Sequence, residues 1–138
     1  MGLIVLDECV LQIASNPDAS CHQSCLKALA DAFGRCDRLV VSNEWYRRAY
    51  AKLQRLVSRK ASSNALRTLR WLRRFMYEKE LTHATPIAID FAVPKEDVWL
   101  AELAEASGAT ILTCDAQLFN ALKAADRPCH LICPSPRT

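Results

Sequence analysis

The stretch Ala109–Asn120, ATILTCDAQLFN, decides how this chain is read. A short apolar run closes on Thr113 and Asp115, and a helical pattern follows from Ala116. That is a strand handing a carboxylate to a loop. In an open α/β sheet, functional groups collect where strands finish at their carboxyl ends and helices begin, because backbone N–H groups and side chains face a ligand together there. Taken alone, Asp115 is also a good N-cap for the following helix, since Asp is a preferred cap residue. The two readings part on whether other carboxylates arrive at the same place.

Immediately before the stretch, Gly108 supplies a helix stop, and Pro94 suits the first turn of a helix running to about Ser107, with Lys95, Glu96 and Asp97 close behind it. Three, four and seven positions beyond Asp97 stand Leu100, Ala101 and Ala104, so Asp97 heads an apolar face. A carboxylate there is costly without a partner, although the helix dipole alone would also favour it. After the stretch come a helix from Ala116 to about Ala125, a short strand over His130–Cys133 and a proline-bounded tail. Thr85–Phe91, TPIAIDF, reads as a short strand or an extended connection, which Pro86 confines to an edge or a strand start.

The front half repeats the pattern. Leu3–Leu6, LIVL, is a buried strand of the parallel type closing on Asp7. Val10–Asp18 begins as a helical turn and becomes a loop at Asn16-Pro17-Asp18. Ser20 caps a helix to about Phe33, with Leu26, Leu29, Ala30 and Phe33 as its buried stripe and Gly34 as its stop. Arg38–Ser42, RLVVS, is a second buried strand. Ser42 or Asn43 caps the next helix, which holds Glu44 in its first turn and has Tyr46, Ala49, Tyr50, Leu53, Leu56 and Val57 as its apolar stripe. Ser62-Ser63-Asn64 starts a third helix through about Glu80, with Leu66, Leu69, Leu72 and Met76 toward the core. The order β-α-β-α-α-(β)-α-β-α-β predicts a three-layer α/β/α fold with a mainly parallel central sheet of four to five strands.

At 138 residues and 51% apolar, with three glycines, the chain is expected to be a single ordered domain over 1–138. No apolar run approaches the roughly 20 residues that cross a bilayer, and the start, MGLIVLDECV, is too short for a signal peptide. A soluble, cytoplasmic protein with no membrane partner is therefore the expectation. Cysteine numbers seven, and Cys9, Cys36, Cys114 and Cys133 lie in or beside apolar segments, so reduced core thiols are expected. Cys21-His22 with Cys25, and Cys129-His130 with Cys133, have three residues between their cysteines where zinc sites more often have two, and they sit at opposite ends of the chain. His83 reads as a surface or turn residue.

Charge divides the chain into two territories. Between Arg47 and Arg74 there are ten Lys or Arg residues and no Asp or Glu, while the remainder has eight basic and fifteen acidic residues. On two helices forming a hairpin, Arg47, Arg48, Lys52, Arg55, Arg67, Arg70 and Arg74 would present a basic exterior, which suits a nucleic-acid backbone. Tyr46, Tyr50 and Trp71 are candidates for base stacking, with core packing the simpler role for all three. In a parallel sheet Asp7 and Asp115 leave strands at one edge, and Glu44 and Asp97 begin helices there. Glu8 and Asp90 are weaker candidates. Carboxylates without thiolates or imidazoles describe a hard-cation site for Mg²⁺ or Mn²⁺, which activates water and stabilises oxyanions in phosphodiester hydrolysis.

In LIVLD (3–7), SNEW (42–45), EDVWLAELAEASG (96–108) and ATILTCDAQLF (109–119), the chain resembles the PIN domain, particularly the VapC-like toxin ribonucleases, over nearly its whole length. The family's four acids fall on Asp7, Glu44, Asp97 and Asp115, and Thr113-x-Asp115 is the most specific piece. The resemblance implies an Mg²⁺- or Mn²⁺-dependent endoribonuclease, commonly a homodimer, often held inactive by a partner antitoxin. In that role Asp7, Asp97 and Asp115 bind metal, Glu44 completes the ligand shell or orients the water, and Thr113 supports the site through its hydroxyl. Two positions depart from the family pattern: Cys9 stands where Asn or Ser is frequent, and Cys114 where a basic residue is common. Three alternatives stay open: a non-catalytic module of this fold binding RNA or protein, an RNA-processing nuclease unrelated to toxin–antitoxin pairs, and a phosphotransferase using Asp7 as nucleophile. Cys9 in place of a second Asp argues against the last.

Overall fold

The computed structural model describes residues 2–14, 19–35, 37–60 and 82–133. Its centre is a five-stranded, all-parallel sheet of β1 (Leu3–Leu6), β2 (Arg38–Val41), β3 (Thr82–His83), β4 (Thr110–Thr113) and β5 (Cys129–Leu131), in the order β3-β2-β1-β4-β5. Five helices accompany it among the described residues: α1 (Glu8–Ala14), α2 (His22–Gly34), α3 (Asn43–Lys60), α4 (Val98–Ser107) and α5 (Ala116–Ala124). The three-layer α/β/α fold predicted from the alternation is the one observed. β1, β2 and β4 each bury their last three residues, as apolar runs covered on both faces must.

The strand order has one reversal. From β1 the chain steps outward to β2 and β3, then crosses back to β4 and steps the other way to β5. Such a reversal sends successive crossover helices to opposite faces of the sheet and opens a crevice at the carboxyl ends of the two strands where it occurs. Here those strands are β1 and β4. Their register, Ile4 opposite Thr110 and Leu6 opposite Leu112, continues to set Asp7 beside Thr113, and the Asp7 N–H donates to Leu112 O at 2.9 Å.

Helix α1 packs against α2 and α3, and α4 against β1, β2 and β4. Between them they enclose a core in which Trp45, Leu6, Leu11, Leu39, Leu100, Leu103, Ile111, Leu118 and Leu122 are fully buried. Each such side chain contributes roughly 1.5–3 kcal/mol by leaving water. Gly108 closes α4 in the left-handed conformation at φ 68°, a position that costs an L side chain about 1–2 kcal/mol.

Several expectations need correction. The segment after Asp7 is a seven-residue helix, because Val10, Leu11 and Ala14 supply a buried face at helical spacing. On α2 the buried residues are Cys25, Leu29 and Ala32, with Cys21 just ahead of them, whereas Leu26 and Ala30 are exposed. The cysteines serve as the small hydrophobes of that face, which rotates the stripe away from Leu26. The side chain of Phe33 lies outside the description. The edge strand is Thr82–His83, with His83 exposed as expected, and residues 84–94 form the extended connection. Before α4 the chain makes a 3₁₀ turn over Lys95–Asp97. Cys21 and Cys133 are not reduced thiols but a disulfide, their Cα atoms 5.8 Å apart; Cys9, Cys25, Cys114 and Cys129 are free. The sheet order brings the start of α2 over the end of β5, a proximity that no local pattern announces. The third helix expected over residues 62–80, and with it Arg67, Arg70, Trp71 and Arg74, lies outside the described residues.

Candidate functional site

Each candidate acid occupies the position that the topology gives to groups leaving a strand or opening a helix. Asp7 follows β1, Glu44 opens α3 after β2, Asp115 follows β4, and Asp97 heads α4. In a parallel sheet with crossover helices all four belong to the carboxyl-terminal edge, the first three on adjacent strands. Asp7, Asp97 and Asp115 are buried, each 6% exposed, and Thr113 is completely buried. Carboxylates hidden to that extent must be compensated.

Thr113 organises the centre. Its hydroxyl donates to Asp7 Oδ2 at 2.7 Å and accepts from the Asp115 backbone N–H at 3.0 Å. Both hydroxyl functions are thereby used: one fixes the Asp7 carboxylate, the other the backbone that carries Asp115. Asp7 Oδ1 accepts weakly from the Cys9 N–H at 3.4 Å at the start of α1. Asp115 is an N-cap in fact, with Oδ1 accepting from the Gln117 N–H at 2.9 Å. Capping occupies Oδ1, so it is compatible with a second role for the same side chain. Asp97 precedes α4 and makes no side-chain cap hydrogen bond.

Glu44 behaves differently. It is half exposed, and its carboxylate is taken by two guanidiniums: Arg47 Nη2 at 2.8 Å and Arg48 Nε at 2.7 Å. Hydrogen bonds from Arg47, then from Arg48, hold its carboxyl below the ordinary value. Arg48 also lies 4.8 Å above the ring of Trp99, so the first turns of α3 and α4 are clasped together through a cation–π contact. Thus Thr113 links Asp7 to the Asp115 backbone, while Glu44 is bound to arginines. Among the described residues, no group of three or more His, Cys, Asp or Glu is arranged to hold a metal ion.

Of the basic residues in the described part, Arg47 and Arg55 are exposed, Arg48 is half-buried, and the Lys52 side chain lies outside the description. Tyr46 and Tyr50 stack on each other, ring centres 6.0 Å apart, and pack against the core. A separate cavity of about 110 Å³ lies at the opposite, amino-terminal edge of β4 and β5, lined in part by Phe91, Glu105, Gly108 and Arg127. Its guanidinium is already bound to Glu105 at 2.8 Å and 3.0 Å, so the cavity offers no unspent charge.

Two features of the site escaped the sequence reading. Trp45 is fully buried, its indole Nε1–H donating to Leu6 O at 2.7 Å immediately before Asp7, and its own backbone N–H donates to the Ser42 hydroxyl at 3.1 Å. The signal was present as a Ser cap three residues ahead of an aromatic, the spacing of an N-cap bond. The second is a group of thiols behind the acids: Cys9 Sγ lies 3.9 Å from Thr113 Oγ1 and 3.5 Å from the Cys114 N, and Cys25 Sγ lies 3.4 Å from Cys114 Sγ. Hydrogen bonding to Cys25, then to Cys9, and after these burial push the Cys114 thiol above its usual range, and burial pushes Cys129 up to about 12.

No family model and no curated protein matches the chain. Among solved structures it is similar to a domain of a functionally unknown protein from Methanocaldococcus jannaschii DSM 2661, at 13% identity and a TM-score of 0.51, covering 100% of this chain and 96% of that one. That likeness bears on the fold alone. No helix among the described residues is long and apolar enough to cross a membrane.

Proposed function

We propose that the chain is a metal-dependent endoribonuclease of the PIN type, acting on RNA phosphodiester bonds, with Mg²⁺ or Mn²⁺ as its ion. The observation that carries the reading is Thr113, whose buried hydroxyl ties the Asp7 carboxylate to the backbone of Asp115 at the reversal between β1 and β4. A buried carboxylate held in place at a ligand-binding edge is what a hard-cation site requires. Asp7 and Asp115 would hold the ion, and Asp97, buried at the head of α4, would join them only after a rearrangement, since no three-carboxylate group is assembled among the described residues. The chemistry that such an ion supplies is an acidified water and stabilisation of phosphoryl oxygens.

The chain's own residues supply the rest. Thr113 fixes the rotamer of Asp7, and Trp45 anchors the strand end that carries it. Glu44 joins the acids only by exchanging its guanidiniums, so its first role is to hold Arg48 against Trp99. Arg47, Arg48 and Arg55, with Lys52 and the cations of residues 67–74, would receive the RNA backbone. A toxin's antitoxin and a homodimeric partner belong to the same reading.

Cleavage of single-stranded and structured RNA in Mn²⁺, beside Asp7→Asn and Asp115→Asn, is the direct test. Equal cleavage by all three proteins would sink the assignment. The engagement of Glu44 by two arginines favours, as a second reading, a non-catalytic RNA-binding module; salt-sensitive RNA binding without Mn²⁺ uptake would establish it.

A further inference from the structure

Cys21, just ahead of α2, and Cys25 within it stand about one helical turn apart, and both meet residues just beyond the carboxyl ends of strands. Cys21 is bonded to Cys133, just beyond β5. Cys25 meets Cys114, just beyond β4, with their sulfurs 3.4 Å apart and both side chains buried. Cys9, half-buried at the start of α1, lies against the Cys114 backbone and forms the solvent side of this thiol group. A soft-metal site is not what the sulfurs make, since no three-ligand group exists among the described residues. Two sulfurs 3.4 Å apart, one on a helix whose start is already tied by a disulfide to the neighbouring strand β5, are instead placed for a second.

We propose that Cys25 and Cys114 form a redox-active dithiol that a hydroperoxide converts into a second disulfide between α2 and the β4–α5 junction. Because both sulfurs are buried, hydrogen peroxide reaches Cys25 only when α2 opens from the sheet; the Cys25 sulfur then attacks a peroxide oxygen, the S–O bond forms, the O–O bond breaks, and one water leaves after proton transfer. The Cys114 sulfur then displaces the hydroxyl from the resulting sulfenic acid, giving the S–S bond and a second water. Two thiols lose two protons and two electrons, and one hydrogen peroxide becomes two waters. The sulfurs close from 3.4 Å to a bond of about 2.0 Å, and one of the two residues that must accommodate it, Cys114, stands between Thr113 and Asp115. The modification therefore acts on the backbone of the candidate site whichever ligand that site takes.

The test uses the full chain treated with stoichiometric hydrogen peroxide, quenched by alkylation and digested without reductant. Trypsin leaves Cys9, Cys21 and Cys25 on one peptide, residues 1–27, and Cys114 on another, residues 96–123. The expected result is a reductant-reversible crosslink between these peptides, with loss of two further alkylatable thiols per chain. The crosslink persists in Cys9→Ser and disappears in Cys25→Ser and Cys114→Ser. A crosslink that survives Cys25→Ser but is lost in Cys9→Ser would overturn the assignment, as would oxidation of Cys9 with Cys25 and Cys114 both still alkylatable. Because the readout is the bond itself, it is independent of nuclease activity.

Discussion

The hydroxyl of Thr113 donates to Asp7 across the β1–β4 boundary at 2.7 Å, and it does so in full burial. Thr113→Val keeps the volume and removes the donor, leaving a buried carboxylate short of one hydrogen bond. Unfolding in urea should show a loss of about 1–3 kcal/mol, with Thr113→Ser recovering most of it. RNA cleavage should fall in the same order. A valine variant as stable as wild type would mean that Asp7 finds its compensation elsewhere.

Asp115 separates capping from metal binding. Asn caps a helix about as well as Asp, so Asp115→Asn should leave metal-free stability nearly unchanged. Saturating Mn²⁺, at a hundred times its dissociation constant, should stabilise wild type by about 2.7 kcal/mol, and the variant should gain much less. Thermal melts with and without Mn²⁺ read both effects. An equal gain in both proteins would remove Asp115 from the ligand set.

Trp45 anchors the strand end that presents Asp7. Trp45→Phe deletes the indole donor to Leu6 O while retaining most of the ring, and should cost about 1–3 kcal/mol. Trp45→Ala should cost about 3–5 kcal/mol through the cavity it leaves. Denaturant titration of the two variants distinguishes the hydrogen bond from the packing.

The clasp at Glu44 has a pH signature. Its carboxyl is held below the ordinary 4.5, first by hydrogen bonding to Arg47 and then to Arg48. A group with a depressed folded-state pKa contributes stability above its unfolded pKa and loses it as pH falls through the folded value. Wild type should therefore lose stability from about pH 4.5 downward more steeply than an Arg47→Gln/Arg48→Gln variant. Added salt should narrow the difference, since the pair is half exposed. Parallel acid limbs in urea titrations would show that the clasp contributes nothing.

What the sequence made legible was carried by period and punctuation. LIVL, RLVVS and ATILT are short, largely apolar runs rich in β-branched residues and bounded by polar ones, a pattern that suits a strand covered on both faces, and the helices between them set the sheet parallel. Gly108 and Asp115 marked real helix ends because each cap rests on a local backbone requirement. The pattern misled where burial depends on partners distant in sequence. Leu26 looked like a core residue until Cys25 and Leu29 took the buried face, and Trp45 was passed over because a stripe drawn through Tyr46, Ala49 and Tyr50 also fits a helix. Placing Asp7, Glu44, Asp97 and Asp115 at one sheet edge followed from topology. That Glu44 would turn to Arg47 and Arg48 was legible in their i,i+3 and i,i+4 spacing on one helix, which a reading centred on the acids passed over.

The bond between Cys21 and Cys133 joins residues 112 positions apart, so the segment between them is a covalent ring. A ring opened by one cut remains a single molecule. A protease that nicks the chain once anywhere between the two cysteines should leave the mass unchanged apart from one added water until a reductant is supplied, whereupon two fragments separate. The same closure limits how far the start of α2 and the end of β5 can drift apart when the chain unfolds, so β2, β4 and β5 should reassemble from a loop already closed on itself.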